Sequence, residues 1–270
     1  PSYIKHISPF CFQKCKYLKS IEFQQNSNLQ SIGKYAFSKT SIETINIPEH
    51  CQHIKEGSFF HCKLLTRIEF EAASEMKLID DKCFTKTQLR SIQIPDSVTR
   101  IGEEAFYECE TLTSVSFSEK SKLESIGDQA FCQSSIINIT IPKHVKHISR
   151  KAFYKCFYLE NVDFFENSEL VSIEEESFYE TSIKSIEIPS STKIIQNKAF
   201  VFCKNLQKVS FKNNSELFYI GYCSFGSTNI QKFVVPSSVK WLGKEIFSEC
   251  EDLEIEYEKN SQIVSVNQYS

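Results

Sequence analysis

Apolar and polar positions alternate in short bursts along this chain, and the bursts recur in a fixed order. In Val115-Ser116-Phe117 and in Ile139-Thr140-Ile141 the alternation has a period of two. That is the pattern of a half-buried strand, because successive side chains of a strand point to opposite faces. Ser114, Ser116, Asn138 and Thr140 are then the outward members of two strands. Pro142 follows the second at once and ends it, since proline has no N–H for a ladder. A shorter apolar pair comes next in each case, Leu123 with Ile126 and Val145 with Ile148, suited to an opposite wall. An Ala-Phe step closes the set (Ala105-Phe106, Ala130-Phe131) and predicts a turn filled by an aromatic ring.

Phe recurs at 12, 37, 59, 84, 106, 131, 153, 178, 200, 225 and 247, with gaps that alternate between 25 and 22 residues. The unit is therefore a 47-residue pair of unequal coils. Pro1, Pro48, Pro95, Pro142, Pro189 and Pro236 keep that period, as do Phe23, Phe70, Phe117, Phe164 and Phe211, and Cys15 through Cys250. A coil of this length cannot bury both ends of its own apolar set. Stacking coils in parallel register about 4.8 Å apart makes one shared core, roughly 50 Å long over eleven turns. The predicted fold is a solenoid: a curved, right-handed stack of about eleven coils. A parallel β-sheet lines its concave face, and short helical or irregular turns join the walls. No linker or composition break interrupts it, so residues 1–270 read as one domain. Neither end offers the polar cap that solenoids normally need, which leads us to expect a piece of a longer protein.

The lines Ile101-Gly102-Glu103-Glu104-Ala105-Phe106-Tyr107-Glu108-Cys109 and Ile183-Lys184-Ser185-Ile186-Glu187-Ile188-Pro189-Ser190-Ser191 carry a specific signature. They resemble the BspA-type class of leucine-rich repeats over nearly the whole chain. The 47-residue pairing with Asn-Ser inserts, as in Glu166-Asn167-Ser168-Glu169-Leu170, is similar to members from trichomonad and amoebic parasites. The resemblance implies a leucine-rich-repeat solenoid, secreted or on the cell surface, that adheres to host or microbial proteins or glycans. It implies no catalytic residue and no cofactor.

Composition changes this picture little. A net charge of −3 gives no concentrated basic face for nucleic acid. No apolar run reaches the length of a membrane span, and Pro1-Ser2-Tyr3 does not begin a signal peptide. Among 11 cysteines, the column Cys15, Cys62, Cys109, Cys156, Cys203 and Cys250 falls on alternate coils, about 10 Å apart. Disulfides need Cα atoms about 4.4–6.8 Å apart, so these cannot pair with one another. Thr40, Thr87, Ser134, Thr181 and Thr228 occupy the column on the coils between, which predicts small filler capping backbone groups. Unpaired thiols suit a reducing or oxygen-poor setting and keep an intracellular interaction scaffold open as the alternative. His50-x-x-His53 and His144-x-x-His147 look like metal ligands, but the column of His6, His53 and His147 continues as Arg100, Ile194 and Trp241. It is a surface column, and no metal is expected. Gly-x-Ser-x-Gly, phosphate-loop and His-Glu-x-x-His patterns are absent from the sequence, so we expect no enzyme. Two sequons occur, Asn138-Ile139-Thr140 on the strand face and Asn213-Asn214-Ser215 in a loop.

The repeat leaves one set of positions free, the outward side chains of the strands. The candidate partner-binding residues are Glu22, Asn46, Arg67, Glu69, Gln93, Ser116 and Asn138 in the first half. Thr140, Asp163, Glu187, Lys208 and Lys232 continue them, and Phe165 and Val234 are apolar candidates for contact anchors. A stacked sheet would hold these on a rigid grid, so a partner need not order loops first.

Overall fold

The computed structural model describes residues 3–24 and 26–266. Twenty-two short strands lie in parallel ladders, and no described residue is helical. The expected turns are thus successive β-turns rather than helical pieces. The expected solenoid is there, with one difference: both walls are sheets. The shorter apolar pairs form a continuous twelve-stranded sheet from His6–Ile7 to Ser265–Val266, each strand only two residues long. The longer strands form an eight-stranded sheet from Ser91–Gln93 to Glu254–Tyr257 and a separate two-stranded sheet of Thr44–Ile47 with Arg67–Phe70.

Register on the long-strand wall alternates with the repeat. A strand from the proline-bearing coil pairs with the next strand along three or four residues, as in Asn138↔Asn161 through Ile141↔Phe164. The following junction keeps only its first pair, as in Ser114↔Asn138, Asn161↔Ser185 and Lys208↔Lys232. The wall is therefore built of strand pairs that splay from one another beyond a shared first residue.

The core is the predicted ring stripe. Phe37, Phe59, Phe84, Phe106, Phe131, Phe153, Phe178, Phe200 and Phe225 are fully buried. Each ring stacks on the next, with centroids 5.2–5.5 Å apart from Phe12 to Phe225 and 5.8 Å at the Phe247 step. Offset parallel rings at this separation add about 0.5–1.5 kcal/mol per contact beyond area burial. Because each ring touches its neighbours on the two adjacent coils, the stripe sets coil phase as well as coil spacing.

The turn around each ring requires an unusual backbone. Residues two before and two after the Phe are left-handed in every coil, for example Lys82 and Lys86 (φ 58° each) or Glu104 and Glu108 (φ 52° and 51°). This geometry alternates the direction of the amides. Lys82, Phe84 and Lys86 donate to Glu103, Ala105 and Tyr107 of the next coil at 2.8, 2.8 and 2.9 Å, which gives the turns a third ladder. A left-handed L-residue costs about 1–2 kcal/mol, and most for β-branched side chains. None of these positions carries Val, Ile or Thr. Gly57 is one of them, and a Cβ there would also strike the Tyr35 ring at 2.2 Å.

The cysteine column behaves as expected and more specifically. Cys62, Cys109, Cys156 and Cys203 each donate an S–H to the ring-residue carbonyl of the coil before (Phe37, Phe84, Phe131 and Phe178) at 3.0 Å. Each also meets the hydroxyl of the coil before it, Thr40, Thr87, Ser134 or Thr181, at 3.2–3.4 Å. All eleven cysteines are free. Burial pushes the Cys109, Cys156 and Cys203 thiols up to about 11, so they are inert structural groups at neutral pH.

Candidate functional site

The long-strand wall presents its polar positions outward, each strand burying the alternate residues (Thr44–Ile47 and Ser185–Ile188 are typical). Asn46, Arg67, Glu69, Gln93, Ser116, Asn138, Asp163, Glu187, Lys208, Lys232 and Val234 are exposed on it. Three candidates differ from expectation. Glu22 is exposed but lies outside the ladder, beyond the isolated Ser20↔Thr44 bridge. Thr140 is half-buried. Phe165 is half-buried too, one residue past the strand Asn161–Phe164, where its N–H is tied to the Ile141 carbonyl at 3.1 Å. That leaves Val234, 36% exposed, as the more exposed of the two apolar candidates.

Neighbouring side chains on the grid interact across coils. The Asn161 amide donates to the Asn138 carbonyl oxygen at 2.5 Å. Lys208 and Lys232 stand abreast, and Lys232 reaches Glu256 at 2.6 Å. Exposed pairs of this kind contribute only about 0–1 kcal/mol, so they are free to exchange partners.

The face has a recess. Arg67–Phe70 and Ser91–Gln93 share no ladder pair; the last backbone tie is Arg90 N–H to the Thr66 carbonyl at 3.3 Å just ahead of them, and a cleft of about 970 Å³ opens beyond it. Four candidates line it together: Asn46, Arg67, Glu69 and Gln93. The other ten are spread along the wall or outside it. Arg67 is occupied by Glu69, its Nε donating at 3.0 Å and its Nη2 bonding the same oxygen. The cleft also takes residues that strand periodicity does not reveal, Glu71, Ala72, Ala73, Asp96, Ser97 and Lys122, all from segments that follow the strands. A smaller hollow of about 440 Å³ shares Ser74, Ser97 and Lys122 with it and continues the groove round the corner. On that shelf, hydrogen bonds from Gln52 and His50 hold the Glu75 carboxyl below its usual range.

The histidines sit in the neighbouring columns as polar links between coils. His50 and His144 meet Glu75 and Glu169 at 3.2 and 3.1 Å, and His6 and His147 meet Ser31 and Ser172 at 2.9 and 2.8 Å. Among the described residues no group of three or more His, Cys, Asp or Glu is placed to hold a metal ion. No described helix is long and apolar enough to cross a membrane.

Stacked parallel coils, a shared ring core and a polar strand face define a leucine-rich-repeat solenoid. The chain belongs to the family of BspA type leucine rich repeat regions, whose model matches residues 1–113, 77–172 and 171–270. Among solved structures it is similar to a leucine-rich repeat protein from Bacteroides ovatus, at 26% identity and a TM-score of 0.73 over 94% of this chain. It spans 64% of that protein's length. It shares its fold with the pneumococcal vaccine antigen PcpA (20% identity, TM-score 0.52, 96% of this chain and 78% of that one). The same holds for a leucine-rich repeat protein from Eubacterium ventriosum (18% identity, TM-score 0.55, 97% of this chain and 66% of that one). No curated protein sequence matches the chain.

Proposed function

We propose that this chain is a non-catalytic binding scaffold that engages a protein or glycan partner through the outward side chains of the long-strand wall, as an adhesion module at a cell surface. The observation that carries the reading is the grid itself. Exposed polar and charged side chains stand on strands whose spacing the buried ring stripe fixes. A rigid grid of this kind meets a partner without the entropy cost of ordering loops. The adhesive role and the surface location rest on family membership. A second reading, an intracellular protein-interaction scaffold, is favoured by the eleven free thiols.

Single substitutions of Glu69, Asp163 and Lys208, spread along the wall, test the face by binding to cells or matrix. Loss in at least one supports it, and unchanged binding in all three removes it from contention. Surface labelling of intact cells separates the two locations, since a protein that stays unlabelled defeats the adhesin reading.

A further inference from the structure

The break in the long-strand wall is local and coincides with a change in the inserts beside it. Each longer coil carries an insert after its strand. Asn26, Asn167, Asn214 and Asn260 hold the same insert position with φ of 54–66°. Asparagine tolerates this left-handed backbone better than most residues. At the two inserts bordering the cleft, that position is Ala73 and Lys120, and neither is left-handed. The insert after Arg67–Phe70 therefore turns differently, and this junction alone among those described lacks even the single ladder pair that the others keep.

We infer that the cleft between Arg67–Phe70 and Ser91–Gln93 is a binding site for an extended peptide segment carrying a basic side chain. The inference rests on the outward wall being a binding surface and names what one part of it takes. Three observations converge on this class of ligand. First, Asn46, Ser91 and Gln93 line the cleft without a side-chain partner among the described residues. Asn and Gln each offer a donor and an acceptor side by side, matching the N–H and C=O of an extended chain. Second, beyond the Arg90–Thr66 hydrogen bond the facing strands share no ladder, so main-chain groups there are open to a guest backbone, as in recognition by strand addition. Third, the charge balance favours a cation. Arg67 is neutralised by Glu69, Glu71 and Asp96 are bonded only to neutral donors, and Lys122 is the one remaining cation in the lining. A sugar would be better served by an open aromatic platform, and the only ring in the lining, Phe70, is half-buried. A volume of about 970 Å³ falls in the range of small-ligand sites, roughly 300–1,000 Å³.

The test uses the full chain, uniformly ¹⁵N-labelled, titrated with a set of capped pentapeptides of the form acetyl-Thr-Val-Lys-Val-Thr-amide with varied flanks. Glu-centred counterparts and a tetrasaccharide of N-acetylglucosamine are titrated alongside. Saturable shifts confined to amides of residues 71–74 and 91–97, at least tenfold tighter for Lys-centred than for Glu-centred peptides, support the site. Gln93→Ala should weaken binding about tenfold with an unchanged circular dichroism spectrum. Glu69→Gln, which frees Arg67, should erase the preference for Lys. No saturable shift in the cleft at millimolar peptide overturns the assignment, as does equal occupation by the tetrasaccharide. Shifts only around Asp163–Lys208 would also overturn it, yet they would leave the binding wall standing. Failure of the wall itself shows separately, in the cell-binding variants.

Discussion

The thiol ladder makes the fold sensitive to alkali in a way that can be isolated. Cys109, Cys156 and Cys203 are fully buried, and burial raises each from 9.0 to about 11. In the unfolded chain the same thiols ionise near their ordinary value. Between the two values the unfolded state releases protons that the folded state retains, so stability is full below about pH 9 and declines up to pH 11. One pH unit above the unfolded value, each thiol costs about 1.4 kcal/mol, which at pH 10 makes about 4 kcal/mol for the three together. Surface Lys and Tyr titrate in the same range, so the clean comparison is with the triple variant Cys109→Ala, Cys156→Ala, Cys203→Ala. At pH 7.5 the variant should be the less stable protein, having lost three S–H···O bonds and their volume. Urea unfolding followed by far-ultraviolet circular dichroism at pH 7.5, 9 and 10 should show that deficit shrink by about 4 kcal/mol at pH 10. A deficit that stays constant across the series would refute the argument, because the thiols would then ionise alike in both states.

Three further outcomes follow from the packing. Ser177 and Ser224 are buried with no hydrogen-bond partner for their hydroxyls among the described residues, and Ala fills their column at 36, 105, 130, 152 and 199. Ser177→Ala and Ser224→Ala should each raise stability by about 1 kcal/mol in urea unfolding, and a loss in both would contradict the packing. Glu108 is left-handed, so Glu108→Gly should be tolerated while Glu108→Val costs about 1–2 kcal/mol more; equal midpoints would mean the turn is misassigned. Phe131→Ala empties a fully buried ring position stacked on both sides and should cost about 3–5 kcal/mol. Phe12→Ala, in a half-buried residue stacked on Phe37, should cost clearly less by the same thermal or urea assay.

The columns explain why so much of the architecture could be read in advance. A residue repeated at a fixed phase meets its own copy on the neighbouring coil, so Phe12 to Phe247 had to form one stripe and Cys62 could not reach Cys109. Whatever breaks the period was invisible to the same reasoning. The left-handed residues around each ring are Lys, Glu, Gln and others, which carry no conformational signal in sequence; only the missing β-branched side chains hint at them. The second sheet escaped notice because two residues are too few to show alternation. In the candidate site, strand periodicity located Asn46, Arg67, Glu69 and Gln93 but not the cleft they share. That cleft lies at the lost ladder pair and the inserts beside it, and its trace in the sequence is Ala72-Ala73, where four of the other five inserts carry asparagine.

The most direct test of the coil stack is covalent. Thr87 and Cys109 lie on adjacent coils, hydroxyl oxygen to sulfur 3.3 Å apart, and neighbouring strands in parallel register lie about 4.8 Å apart, within reach of a disulfide. In Thr87→Cys, mild oxidation followed by proteolysis and mass spectrometry should yield one new disulfide, linking position 87 to Cys109. A protein that stays reduced at that position, or that links it to Cys132 or Cys156 instead, would contradict the register on which the stripe, the wall and its cleft depend.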